Sequence, residues 1–211
     1  MQRSIVILAL LFHSIFASAA EYEEFKVPTT DGKSLLTGQI DLPPAKCGAG
    51  PHKAVMIVSG SGWSYRDGFM GRSGSDGDSI YRFMAKSLQD KCYLVVRWDY
   101  RGVSCDRKQP SDVQKCIDQK VRAEMDHNSM LEDILAVYKF AESFPLLDKS
   151  EFKIIGHSEG SLNVASLIYQ NRILPKGVLF MGALTESPKD IFYWQAVLRK
   201  IEWLFELDKD G

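Results

Sequence analysis

FKIIGHSEGSLNVASLIY, residues 152–169, is an apolar run, a polar break flanked by glycines, and a second apolar run at helical spacing. It reads as a strand, a tight turn and a helix in direct succession, with Gly156 and Gly160 flanking Ser158 two residues away on either side. A serine hydroxyl is a poor nucleophile, and a strained strand-to-helix turn exposes it where a base can reach. Small residues on both flanks relieve the crowding of that turn. The helix starting at Glu159 also aims backbone N–H groups at the place where an oxyanion develops. The competing reading is a helix-capping serine between incidental glycines. The strand before and the helix after favour a nucleophile.

Working outward, Tyr22 to Val27 and Leu35 to Leu42 are short alternating or β-rich runs parted by Asp31 and Gly32, which predicts an opening antiparallel hairpin. AVMIV (54–58) and YLVVRW (93–98) are compact apolar runs of the kind buried on both faces of a parallel sheet. Between them Ile80 to Leu88 is helical in spacing. The alternation continues with a helix from about Met130 to Phe144, a strand Phe152 to Ile155, a helix Leu162 to Tyr169 and a strand Gly177 to Leu184. Strand and helix in turn predict an α/β layered fold with a mostly parallel sheet flanked by helices. The polar stretch Ser104 to Asn128 reads as an ordered insertion or long loop. From Ser187 the segment SPKDIFYWQAVLRKIEWLFEL predicts a long amphipathic helix, with Phe192, Tyr193 and Trp194 read as packing residues rather than a pocket lining.

Acyl transfer needs a second oxyanion donor, and the loop after AVMIV, SGSGWSYRDG (59–68), is placed to supply it. Gly60 and Gly62 allow close backbone approach, which nominates the N–H of Ser61, or alternatively of Gly62, as partner to that of Glu159.

Three ordered motifs, GSGWSYRDG (60–68), VVRWDYRGVS (95–104) and IIGHSEGS (154–161), together resemble the bacterial carboxylesterase branch of the α/β-hydrolases, whose members show GSGPxDRD, RxDxRGxGxS and GHSxGG. The resemblance covers residues 54–184. It departs at Trp63 in place of proline, at Cys105 after Ser104, and at Ser161 in place of the second glycine after the elbow. It implies an α/β-hydrolase fold and a serine hydrolase cleaving carboxylic esters through an acyl-Ser158 intermediate. A peptidase similar to prolyl aminopeptidases, or an inactive domain of the same fold, are the alternatives. It further implies that Asp99, Arg101 and Gly102 hold the loop after their strand, and that Arg66 and Asp67 serve loop architecture rather than proton transfer.

The same resemblance places an acid and then a histidine after the nucleophile. No histidine follows Ser158; His157 is its neighbour, His52 precedes a strand at the opposite edge, and His127 lies in the insertion. Glu186 reads as an ordinary polar loop residue before Pro188 rather than as the acid. The expectation is therefore a fragment, lacking the last strands, in which 21–211 is an incomplete hydrolase domain and 188–211 the start of a helical lid or insertion. LFELDKDG (204–211) resembles the entry to an EF-hand loop, with Asp208 and Asp210 at the two leading ligand positions, although an exposed Asp-Gly turn is the commoner reading. No cofactor is expected.

Residues 1–20 carry Arg3, then a mostly apolar Ser4–Phe16, then Ala17, Ser18, Ala19 and Ala20, the pattern of an export signal. That apolar stretch is shorter than the roughly 20 residues that span a bilayer, so no stable span is expected once the signal is removed. A secreted or periplasmic protein is expected. Its cysteines, Cys47, Cys92, Cys105 and Cys116, allow three connectivities; the short polar segment between the last two favours Cys105–Cys116, and by subtraction Cys47–Cys92. Lys and Arg number 26 against 27 Asp and Glu, with no basic stripe, so nucleic acid is not an expected partner. The expected partner is a small-molecule ester or peptide.

Overall fold

The protein is described by a computed structural model covering residues 21–61, 65–68, 79–104, 116–183, 186–198 and 200–201. Strands β1 (Tyr22–Pro28) and β2 (Leu35–Asp41) form the expected antiparallel hairpin, with Pro28 opposite Leu35 and Gly32 at φ +67° in the turn. Strand β3 (His52–Val58), helix α1 (Ile80–Gln89) and strand β4 (Leu94–Trp98) follow. Then come helices α2 (Gln119–Ala123) and α3 (His127–Glu142), strand β5 (Leu147–His157), helix α4 (Glu159–Tyr169), strand β6 (Gly177–Met181) and helix α5 (Pro188–Tyr193).

The strands form one sheet in the order β1-β2-β4-β3-β5-β6, antiparallel across its first two pairings and parallel across the rest. Side chains of parallel strands alternate between two covered faces. Met56, Val58, Leu94, Val96 and Ile154 pack on one face with Val164 and Leu167 of α4 and with α3. Val55, Ile57, Val95 and Ile155 pack on the other with Tyr81 and Ala85 of α1. The chain leaves β3 for β4 on one side and later returns to β5 on the other. The loops after β3 and β5 therefore emerge side by side at the strands' C-terminal ends, where open α/β sheets hold their ligands.

Element boundaries differ from the sequence expectation where capping intervenes. Helix α3 begins at His127 rather than Met130 because Asp126 accepts the N–H of Ser129 while the Ser129 hydroxyl accepts that of Asp126, a reciprocal cap that stops two orphan donors. His127 thus heads a helix instead of lying in a loop. Asp118 similarly caps the short α2 inside the polar segment. Strand β5 starts five residues earlier than Phe152, its entry hidden in the sequence by polar Asp148–Glu151. The expected long helix after Ser187 is α5 followed by a wider turn over Trp194–Leu198, in which Trp194, Val197 and Leu198 are exposed.

Cys47 is bonded to Cys92, joining the turn after β2 to the end of α1. Cys116 is disulfide-bonded as well, and its expected partner Cys105 lies outside the described residues. Among the described residues no helix is long and apolar enough to cross a membrane. Residues 1–20, the expected export signal, lie outside the described residues.

Candidate active site

Strand β5 ends at His157 between two parallel neighbours, with Gly156 opposite Val58 of β3 and Phe180 of β6. The chain then turns at Ser158 with φ 52° and ψ −122°, and α4 begins at Glu159. Such backbone is sparsely populated for a residue carrying a side chain and costs about 1–3 kcal/mol, so the surroundings must enforce it. Ser158 N–H donates to the carbonyl of Met181 at 2.8 Å, Ser161 N–H to the carbonyl of Ser158 at 2.9 Å, and the Ser161 hydroxyl to the carbonyl of Gly156 at 2.8 Å. Ser161, the residue that replaces a glycine of the resembled motif, is therefore one of the ties that close the turn.

The flanking glycines are demanded by contact distance. A Cβ on Gly156 would stand 2.9 Å from Cα of Ser161, and one on Gly160 would stand 2.4 Å from the carbonyl oxygen of Ser59. The Ser158 side chain makes no capping hydrogen bond to α4. Ser158 is half-buried at the tip of the turn.

The loop after β3 lies directly against this turn. A Cβ on Gly60 would fall 2.9 Å from Cβ of Ser158 and 3.0 Å from the carbonyl oxygen of His157. Ser61, the next residue, is exposed. Ser158, Glu159 and the Gly60–Ser61 backbone thus share one corner of the sheet. Gly62, expected as the alternative oxyanion donor, lies outside the described residues, as do Asp208 and Asp210.

No protein-family model and no curated protein sequence matches the chain. Solved structures do. A thermostable carboxyl esterase from Bacillus coagulans in complex with glycerol aligns over 87% of this chain and 51% of its own, with a TM-score of 0.53 at 19% identity. The α/β-hydrolase GrgF from Penicillium sp. sh18 aligns over 86% of this chain and 52% of its own, with a TM-score of 0.52 at 16% identity. The chain has the α/β-hydrolase fold. It spans about half the length of these two structures.

Within this α/β-hydrolase fold, three arginines brace the loops around the corner. Arg66 donates from Nε and Nη2 to the Asp99 carboxylate at 3.0 and 2.6 Å, and its own N–H donates to the same group at 2.8 Å. Arg97 is bonded to Asp41 at 2.7 and 3.0 Å and also to Asp67. Arg101 is bonded to Asp133 at 2.7 and 2.6 Å and to Asp31 at 2.7 Å. The Asp133 carboxylate holds the Arg101 guanidinium well above its ordinary range. Thr29's hydroxyl, then Arg101, holds the Asp31 carboxyl well below its own. These groups spend their charges on one another, which fits Asp99, Arg101, Arg66 and Asp67 as scaffold.

Among the described residues the histidines stand apart from base duty to Ser158. His52 opens β3 at the far end of the sheet, opposite Leu147, and His127 is exposed at the head of α3. His157 has its Nδ1 2.7 Å from the Tyr81 hydroxyl. Glu186 is exposed in the bend before α5. Tyr81 and Tyr100, both buried beside the loop after β3, went unread in the sequence. Tyr100 had one available signal, its place inside the RWDYRG motif between two scaffold charges. Tyr81 had none beyond its helical register.

Proposed function

We propose that the protein is a serine hydrolase of carboxylic esters in which Ser158 is the nucleophile and the backbone N–H groups of Glu159 and Ser61 bind the oxyanion. The observation that supports this most is the backbone of Ser158, a non-glycine residue at φ 52° and ψ −122° between a strand and a helix, with its hydroxyl uncommitted to the cap. Strain of this kind persists at sites that use it. Attack by Oγ on an ester carbonyl gives a tetrahedral oxyanion, which collapses to acyl-Ser158 and alcohol; water then releases the acid. Helix α4 offers first-turn N–H groups without partners in the helix, and their aligned dipoles favour the developing negative charge.

The general base and its acid are not among the residues assigned, and we propose that they belong to the part of the fold that the aligned structures have and this chain does not span. Export through residues 1–20 fits the Cys47–Cys92 bridge, since such bonds persist in oxidising compartments. Residues 188–211 are proposed as the beginning of a lid. The exposed Tyr193, Trp194, Val197 and Leu198 fit a segment that meets an apolar partner surface or acyl chain.

Substrate class is tested with p-nitrophenyl acetate and butyrate beside proline p-nitroanilide, on protein extended by the codons that follow Gly211. Ester turnover that is lost in Ser158→Ala supports the assignment. Turnover of the anilide alone moves the protein to the peptidase class.

A further inference from the structure

The peptide unit joining Ser59 to Gly60 is bonded at both ends to tyrosine hydroxyls. Its carbonyl oxygen accepts from Tyr100 Oη at 2.6 Å, and its N–H donates to Tyr81 Oη at 3.2 Å. In a planar trans peptide these groups point to opposite sides, so two bonds define the orientation of the whole unit. The two tyrosines reach it from opposite faces of the sheet. Tyr100 follows β4 and belongs to the core beneath α3 and α4, while Tyr81 sits on α1 in the core of the other face.

Tyr81 is itself held on both sides: its oxygen accepts the Gly60 N–H and lies within hydrogen-bond distance of His157 Nδ1, 2.7 Å away. The Tyr81 ring rests where a side chain at Gly68 would stand, 2.2 Å from a Cβ there, and the Tyr81 N–H donates to the carbonyl of Asp67 at 3.0 Å. The turn over 65–68 is pinned in its own right by the Arg66–Asp99 and Arg97–Asp67 pairs.

We propose that Tyr81 and Tyr100 are positioning residues which clamp the Ser59–Gly60 peptide and so set where the Ser61 N–H stands above Ser158. The proposal rests on the acyl-transfer reading for its consequence in rate, but the clamp is a physical feature of the loop that exists with or without turnover. It also gives the arginine–aspartate pairs a route to the site. They hold the 65–68 turn, the turn holds Tyr81, and Tyr81 holds the loop.

The test is Tyr81→Phe and Tyr100→Phe, which keep the packed rings and remove only the hydroxyls. Tyr138→Phe, at a buried residue of α3 stacked on Phe152, serves as control. On the same extended protein as in the substrate test, hydrolysis of p-nitrophenyl acetate is measured together with amide hydrogen exchange of Gly60 after 15N-glycine labelling. Each clamp variant is expected to lower kcat on the order of tenfold, with KM within about twofold, because the lost alignment matters only once the oxyanion forms. Gly60 exchange is expected to quicken by about tenfold or more in Tyr81→Phe, and the control to change neither readout. Unaltered kcat in both clamp variants overturns the proposal, as does Gly60 exchange at the wild-type rate in Tyr81→Phe. If the parent protein shows no turnover, the acyl-transfer reading fails and Gly60 exchange alone decides the clamp.

Discussion

The carbonyl oxygen of Ser59 occupies the space that a side chain on Gly160 would need, 2.4 Å from the position of its Cβ, with the carbonyl oxygen of Val58 at 2.5 Å. Helix α4 therefore rests directly on the chain leaving β3. The Ser158 turn and the loop proposed to hold the oxyanion are one packed unit. Backbone oxygens cannot swing aside as a flexible side chain can, so Gly160→Ala is expected to cost about 2–3 kcal/mol, at the upper end for overpacking. Urea unfolding checks this, and ester hydrolysis should fall by about a hundredfold or more as the loop is displaced.

Ser158 offers a second, opposite outcome. Because its φ of 52° is one that glycine adopts freely, Ser158→Gly should relieve strain and leave the protein as stable as the parent or up to about 1 kcal/mol more so, while abolishing acylation. Ser158→Ala should stay within about 0.5 kcal/mol of the parent. Loss of about 1 kcal/mol in the alanine variant would instead mark Ser158 as a helix cap. Denaturant midpoints of the three proteins measure the difference.

The Cys47–Cys92 bridge closes a sequence separation of 45 residues and ties the turn after β2 to the end of α1. By loop entropy a closure of this length restricts the unfolded chain by about 4 kcal/mol, and typical losses on removal run about 2–4 kcal/mol. The double variant Cys47→Ser, Cys92→Ser should lose stability in that range, read by chemical denaturation. Replacing this pair is cleaner than reductant, which would also open the bond at Cys116.

Acid should loosen the hairpin end of the sheet in a way traceable to Asp31. Its folded carboxyl is held below the ordinary 3.8, first by the Thr29 hydroxyl at 2.6 Å and then by Arg101 at 2.7 Å. A depressed carboxyl contributes stability that is present above its unfolded value and disappears as pH falls below about 4. Thermal midpoints from about pH 6 to about pH 3 should therefore drop at the acid end, with a shallower drop in Asp31→Asn.

How much of this could be read from residues alone follows from the range of the interactions. The β-rich runs 54–58 and 93–98, and the strand–turn–helix at 152–169, are local patterns of apolar spacing, and the structure has central strands and a strand–turn–helix at those places. The α3 boundary depended on which of several polar residues would cap, and Asp126 with Ser129 is one short pattern among many in that segment. The extension of β5 to Leu147 came from pairing with His52, a contact invisible in the polar stretch itself. The two-tyrosine clamp joins residues from α1, the end of β4 and the loop after β3, and only the assembled sheet brings them together.

The central claim is that Ser158 is an activated nucleophile, and the most direct measurement is its covalent capture. Protein extended by the codons beyond Gly211 is incubated with a fluorophosphonate and digested, and the modified peptide is sequenced by mass spectrometry. One adduct is expected, on Ser158 within the peptide spanning Ile155 to Ser161, absent from Ser158→Ala and slowed in Tyr81→Phe. An intact, folded protein that takes up no label, or takes it up on another serine, contradicts it.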